Sequence, residues 1–136
     1  MNLITWLEDW YTSNCDGDWE HQYGISVETL DNPGWRLKLN ITYTLYDNVD
    51  FEEIKIERTE HDWVWCRKLD GSIDCMGGPK NFGEMLGIVK KWMDDNKPDS
   101  AVVAEYFQEV MKIREFNEMV WGGSWTSQGL ESRKPE

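Results

Sequence analysis

The sequence predicts an α+β domain: one antiparallel meander sheet of about five strands, with an N-terminal helix and two C-terminal helices packed on it. Three observations point there. Apolar residues recur at three- and four-residue spacing near the N-terminus and again over 81–96. Residues 35–45 alternate apolar and polar without error. Short β-rich runs are punctuated by turn pairs such as Asp70-Gly71. With 136 residues, 40% of them hydrophobic and nine tryptophans, the chain has enough apolar mass for one buried core.

Residues 2–14 place Leu3, Trp6, Leu7, Trp10 and Tyr11 on one stripe, an amphipathic helix ended by Asn14 and Asp16-Gly17. "YGISVETL" (23–30) reads as a strand, and "DNPG" (31–34) as a turn. "WRLKLNITYTL" (35–45) turns Trp35, Leu37, Leu39, Ile41, Tyr43 and Leu45 one way and its polar residues the other, the signature of a strand with one wet face. "DNVD" (47–50) turns the chain into "FEEIKIERTE" (51–60), which alternates through Ile54 and Ile56. "DWVWCRKL" (62–69) and "SIDCM" (72–76) flank the Asp-Gly pair as a hairpin. "NFGEMLGIVKKWMDDN" (81–96) opens with Asn81 and Glu84 in capping-box spacing, and Phe82, Met85, Leu86 and Val89 form its stripe. A third helix is expected over about 100–118, followed by a Gly/Ser-rich, loosely ordered tail beyond Trp125.

Charge narrows the function classes. The formal net charge is −12, and the first sixty residues, with thirteen acids and four bases, carry −9 of it. Nucleic-acid binding needs clustered Lys and Arg, and anionic membrane surfaces repel such a chain; a folded acidic face instead attracts a basic partner. No signal-peptide pattern and no apolar run of about 20 residues is present, so a soluble, cytoplasmic protein is expected. Cys15, Cys66 and Cys75 are odd in number and widely spaced, which predicts reduced, partly buried thiols and no zinc site.

"CDGDWEHQYG" (15–24) concentrates Asp16, Asp18, Glu20 and His21 around Trp19. As a calcium loop it matches only at its first acidic positions: His21 stands where the turn glycine belongs and Val27 where the closing glutamate does. As an acid/base site it has carboxylates and an imidazole, but no further polar set elsewhere completes it, and Asp and Gly leave a helix for turn reasons alone. "CMGGPKN" lacks the spacing of a phosphate loop, and no nucleophile–His arrangement can be built. A non-enzymatic protein without cofactor or metal is expected. Trp19 admits two readings: an aromatic anchor ringed by carboxylates that a basic partner grips, or a side chain folded back to close the core at the helix end.

The stretch "WLEDWYTSNCDGDWEHQYGISVETLDNPGW" (6–35), with "FEEIKIERTEHDWVWCRKLDG" and "GGPKNFGEMLGIVKKWM", closely resembles the Imm53 family, immunity proteins of bacterial polymorphic toxin systems. The resemblance runs from residue 1 to about 95, giving an immunity-like domain over 1–96 and a C-terminal helical extension over 97–136. It implies a protein that binds and neutralises a cognate toxin. Combined with the acidity, the expected toxin is basic and acts on nucleic acid, and the expected contact residues are Asp16, Asp18, Trp19, Glu20 and His21. Two alternatives remain in view: a small carboxylate-dependent hydrolase built on the same segment, and a regulatory module that binds a protein through Tyr106, Phe107 or Met111 of the last helix. The residues leave oligomeric state open.

Overall fold

The structure, a computed structural model, describes residues 2–97 together with Glu105, Gln108, Glu109 and Lys112. Those four isolated positions are helical and exposed; the remainder of the expected third helix, including Tyr106, Phe107 and Met111, lies outside the described residues, as do Trp121, Trp125 and the tail.

The first helix, α1, spans Leu3–Asn14, and the Asn2 side chain caps it by accepting the N–H groups of Ile4 (2.8 Å) and Thr5 (3.2 Å). A single turn, α2, follows at Trp19–Gln22. The strands are β1 (Ile25–Leu30), β2 (Gly34–Asn40), β3 (Ile54–Thr59), β4 (Asp62–Leu69) and β5 (Ser72–Gly77), and α3 is Phe82–Asp95. All strand pairs are antiparallel, in the spatial order β1-β2-β5-β4-β3. The β1-β2 hairpin and the β3-β4-β5 meander are therefore joined through β2 and β5. The long connection from Ile41 to Glu53 carries the chain to the far edge. Between β4 and β5 the turn pair Asp70 (φ 50°) and Gly71 (φ 75°) are both left-handed, as a two-residue hairpin requires.

One face of the sheet carries the core. Leu37, Leu39, Val64, Cys66, Ile73 and Cys75 point to it, and Met85, Leu86, Val89 and Met93 of α3 lie on them, all buried. Leu3, Trp6, Leu7 and Trp10 of α1 pack at the side of this layer. Cys66 and Cys75 are direct cross-strand partners and are both free thiols; the Cys66 hydrogen bond and burial push Cys75 far above the ordinary thiol value, so it stays protonated. On the opposite face Asp74, 1% exposed, accepts two hydrogen bonds from Arg36 (3.0 and 3.1 Å) and lies 3.7 Å from Arg67, whose guanidinium sits over the Trp65 ring. That carboxylate is buried but paired, as burial of a charge demands. Among the described residues no helix is long and apolar enough to cross a membrane.

Two elements differ from the sequence reading. The strand expected over 35–45 ends at Asn40, because β5 starts opposite it at Ser72 and β1 starts opposite Leu39, leaving no ladder beyond. Local bonds then bend the chain. Thr44 Oγ1 donates to the Ile41 carbonyl (2.7 Å), and the Tyr43 N–H donates to Asp47 (3.0 Å) with Tyr43 left-handed at φ 61°. Tyr46 thereby reaches the core, its hydroxyl donating to the Met93 carbonyl. The second difference is at α3, where Asn81 makes no side-chain cap. Its amide instead donates to Asp62 and Glu84 (3.0 Å each) and its oxygen accepts the Trp63 N–H, tying the helix to β4.

Candidate partner-binding site

The segment that leaves α1 is shaped by its own carboxylates. Asp16 Oδ1 accepts the N–H groups of Asp18 and Trp19 (3.0 Å each). Glu20 reaches back to accept those of Asp16 (3.0 Å) and Gly17 (2.8 Å). These reciprocal bonds wind α2 in the manner of a capping box, and Gly17, at φ 88°, takes the left-handed turn between them. Two acids thus satisfy four backbone donors. The sequence signal for α2 was present in the spacing of Asp16 and Glu20, but a single turn is too short to leave a periodicity.

Trp19 is 4% exposed, so of its two readings the structure takes the second: it closes the core at the end of α1. Its indole N–H donates to the Thr42 carbonyl (2.9 Å). Trp10 meets it edge-on at 6.1 Å, Tyr11 lies tilted at 6.1 Å, and Tyr23 stacks at 6.2 Å and continues to Tyr43. The bend after Asn40 matters here, since it supplies both the Thr42 acceptor and Tyr43. Trp19 therefore fixes the segment from beneath, and the surface above is made by its neighbours.

Beside this anchor is a cleft of about 470 Å³ lined by Leu7, Glu8, Tyr11, Glu20, Tyr23, Gly24 and Ile25. Of the residues singled out in sequence, only Glu20 lines it. Asp16 and His21 are exposed around it and Asp18 is half-buried. Glu8, Tyr11 and Tyr23 were missed. The usable signal was that Glu8 and Tyr11 sit three apart on α1, on the flank of its apolar stripe. The cleft's phenols are held neutral: the Cys15 hydrogen bond and burial raise Tyr11, and burial followed by the Tyr43 neighbour raises Tyr23. Burial raises Cys15 too, and its thiol donates to the Tyr11 carbonyl.

The lining combines aromatic Tyr11 and Tyr23, aliphatic Leu7 and Ile25, and the carboxylates of Glu8 and Glu20, a set whose chemistry suits the stem and charged head of a long cationic side chain. Among the described residues that line the cleft there is no histidine, and His21 lies outside that lining. Among the described residues no three His, Cys, Asp or Glu side chains gather where they could hold a metal ion. The first 35 residues, which supply the cleft's described lining, hold seven Asp and Glu and no Lys or Arg.

Residues 4–94 match the model of the family described as immunity protein 53, Imm53. The chain belongs to the immunity protein 53 family. The match takes in α1 from its second residue, the acidic segment, all five strands and α3 up to its last residue, so the Imm53 region contains nearly all of the described fold. Membership makes this an immunity protein, whose partner is a toxin. No curated protein and no solved structure matches the chain.

Proposed function

We propose that this Imm53 protein neutralises a basic toxin, of the kind that acts on nucleic acid, by occupying it with the acidic surface built from Asp16, Asp18, Glu20 and His21 and the adjoining cleft. It does so as a binding protein of a polymorphic toxin system, in the cytoplasm, without catalysis or cofactor. Trp19 shapes the surface and does not touch the partner. The observation that carries the reading is the cleft itself: Glu8 and Glu20 on a wall of Tyr11 and Tyr23, inside the least basic stretch of the chain.

Carboxylates presented this way stand in for the phosphates that a nucleic-acid-acting enzyme holds in a basic cleft. The field of the acidic surface accelerates encounter, and close desolvated pairs then slow dissociation; such pairs couple by about 1.5–7 kcal/mol. The test is calorimetry of the inactivated toxin encoded beside this protein, at about 0.01 M and about 0.15 M salt, where the screening length falls from about 30 to about 8 Å. Glu8→Lys and Asp18→Lys lower affinity by about tenfold or more, with a steeper loss of on-rate at low salt. Both variants binding like wild type would remove this surface from the interface.

A further inference from the structure

The two edges of the sheet are built differently. On β3, Lys55, Glu57 and Arg58 line a strand of six residues, the register slips between Glu57 and Thr59, and Arg58 is clasped by Asp62 (2.8 Å) and Glu84. Charge and irregular register are what keep an edge from pairing with another chain. On β1 neither is found. Ile25–Leu30 runs in unbroken register against β2, without proline, and carries a single charge, Glu28. Among the described residues no strand pairs with its outer side.

The outward groups of β1 can be identified. The Asn40 N–H donates to the Gly24 carbonyl (2.9 Å), and the register sets Gly24 opposite Asn40. In an antiparallel ladder hydrogen-bonded pairs alternate, so Ser26, Glu28 and Leu30 bond to β2 while the N–H and C=O groups of Ile25, Val27 and Thr29 point away from the sheet. The side chains of these same three residues lie on the helix-bearing face, yet α3 sits over β5, β2 and β4. Val27 consequently stays 47% exposed, and Ile25 lines the acidic cleft.

We infer that β1 is the edge on which the toxin docks, by adding an extended basic strand of its own to the sheet. This rests on the toxin-binding reading above and specifies its mode. Main-chain bonds to Ile25, Val27 and Thr29 supply affinity, and alternate side chains of the added strand supply specificity. An apolar residue of the toxin covers Val27. The next residue on the same face, two positions along, is Lys or Arg and enters the cleft between Tyr11 and Tyr23, its charge against Glu8 and Glu20. The charge complementarity, the exposed Val27 and a ladder edge without a partner among the described residues converge on one end of one strand.

The experiment uses the full chain and the inactivated toxin encoded beside it. Val27→Pro removes an outward N–H without touching the β1-β2 ladder, and Val27→Lys places a charge on the same already exposed position. Both weaken binding by about tenfold or more, while Lys55→Pro on the β3 edge does not. Amide exchange supplies a readout specific to strand addition: the N–H groups of Ile25, Val27 and Thr29 exchange readily in the free protein and become protected in the complex. If Val27→Pro unfolds the chain, Val27→Lys and the exchange pattern decide. Unprotected amides, with Val27 variants at wild-type affinity, overturn strand addition; if Glu8→Lys still weakens binding, the acidic-surface reading survives it. If Glu8→Lys binds normally as well, both fall. A wild-type dimer in ultracentrifugation that Val27→Lys dissociates assigns the edge to a second copy and overturns the proposal.

Discussion

Two carboxylate clusters of similar composition sit at opposite ends of this sheet, and they are put to different uses. At the β3-β4 hairpin, Asp62 and Glu84 close on Arg58, with the Asn81 amide between them. One of their two charges is cancelled where it arises. At the end of α1, Asp16 and Glu20 instead bond backbone N–H groups. A backbone donor satisfies a carboxylate oxygen without itself bringing a counter-charge. Both clusters are locally well bonded, one by a guanidinium and a side-chain amide, the other by main-chain N–H groups. Counting acids does not distinguish them, and the identity of the donors does.

Substitutions at three positions break or sharpen that comparison. The largest effect is expected from Trp19→Ala, which empties the aromatic cluster under the acidic segment. Truncating a buried Trp costs about 3–5 kcal/mol, read as a shift of the urea midpoint. The same variant loses toxin binding, although Trp19 is covered, because the segment above it no longer has one shape. A Trp19→Ala protein of wild-type stability would refute the anchor role.

Next comes Glu20→Ala, which releases the N–H groups of Asp16 and Gly17. Loss of a cap of this kind costs about 1 kcal/mol, and α2 frays, visible as faster amide exchange at Asp16 and Gly17. Glu20→Gln retains acceptor geometry on one oxygen and removes the charge, so it should recover part of the stability and none of the electrostatic contribution to the toxin on-rate. Equal on-rates for Glu20→Gln and wild type would show that the segment's charge is not used.

The smallest effect belongs to the other cluster and appears as a pH dependence. The Asn81 and Arg58 hydrogen bonds hold Asp62 below the usual carboxylate range, and Arg58, chiefly, does the same for Glu84. Groups whose pKa is depressed on folding contribute stability above their unfolded value, about 4, and that contribution disappears as pH falls through the lower folded value. Wild type should therefore exceed Arg58→Ala in stability at neutral pH, with the gap closing under acid. These side chains are exposed, so the gap at neutral pH is small and shrinks in salt. A gap that persists unchanged in strong acid would mean Arg58 acts through packing alone.

Much of the architecture was legible in the residues. Period-two alternation placed β2 through β5 and period-3.6 stripes placed α1 and α3, because those periods are imposed by backbone geometry itself. The alternation of 35–45 misled at its end: Ile41, Tyr43 and Leu45 keep the pattern, but a strand extends only as far as its neighbours do. Asn81 and Glu84 had capping-box spacing, yet Asn81 found stronger partners on β4. The candidate site was half legible. Its acidic segment stood out, whereas Glu8, Tyr11 and Tyr23, which complete the cleft, come from a helix and a strand entrance and resemble ordinary flanking residues.

By itself the sequence determined the types of α1, α3 and the five strands, an apolar mass sufficient for a buried core, the concentration of charge in the first sixty residues and the family motif, since each depends on composition or on spacing along the chain. Only the tertiary structure decided that β2 lies beside β5, that Trp19 turns inward, and that β1, among the described residues, keeps an unpaired edge next to an acidic cleft. Those outcomes depend on contacts between residues far apart in the chain, where burial and hydrogen bonding of one partner are settled by the position of the other.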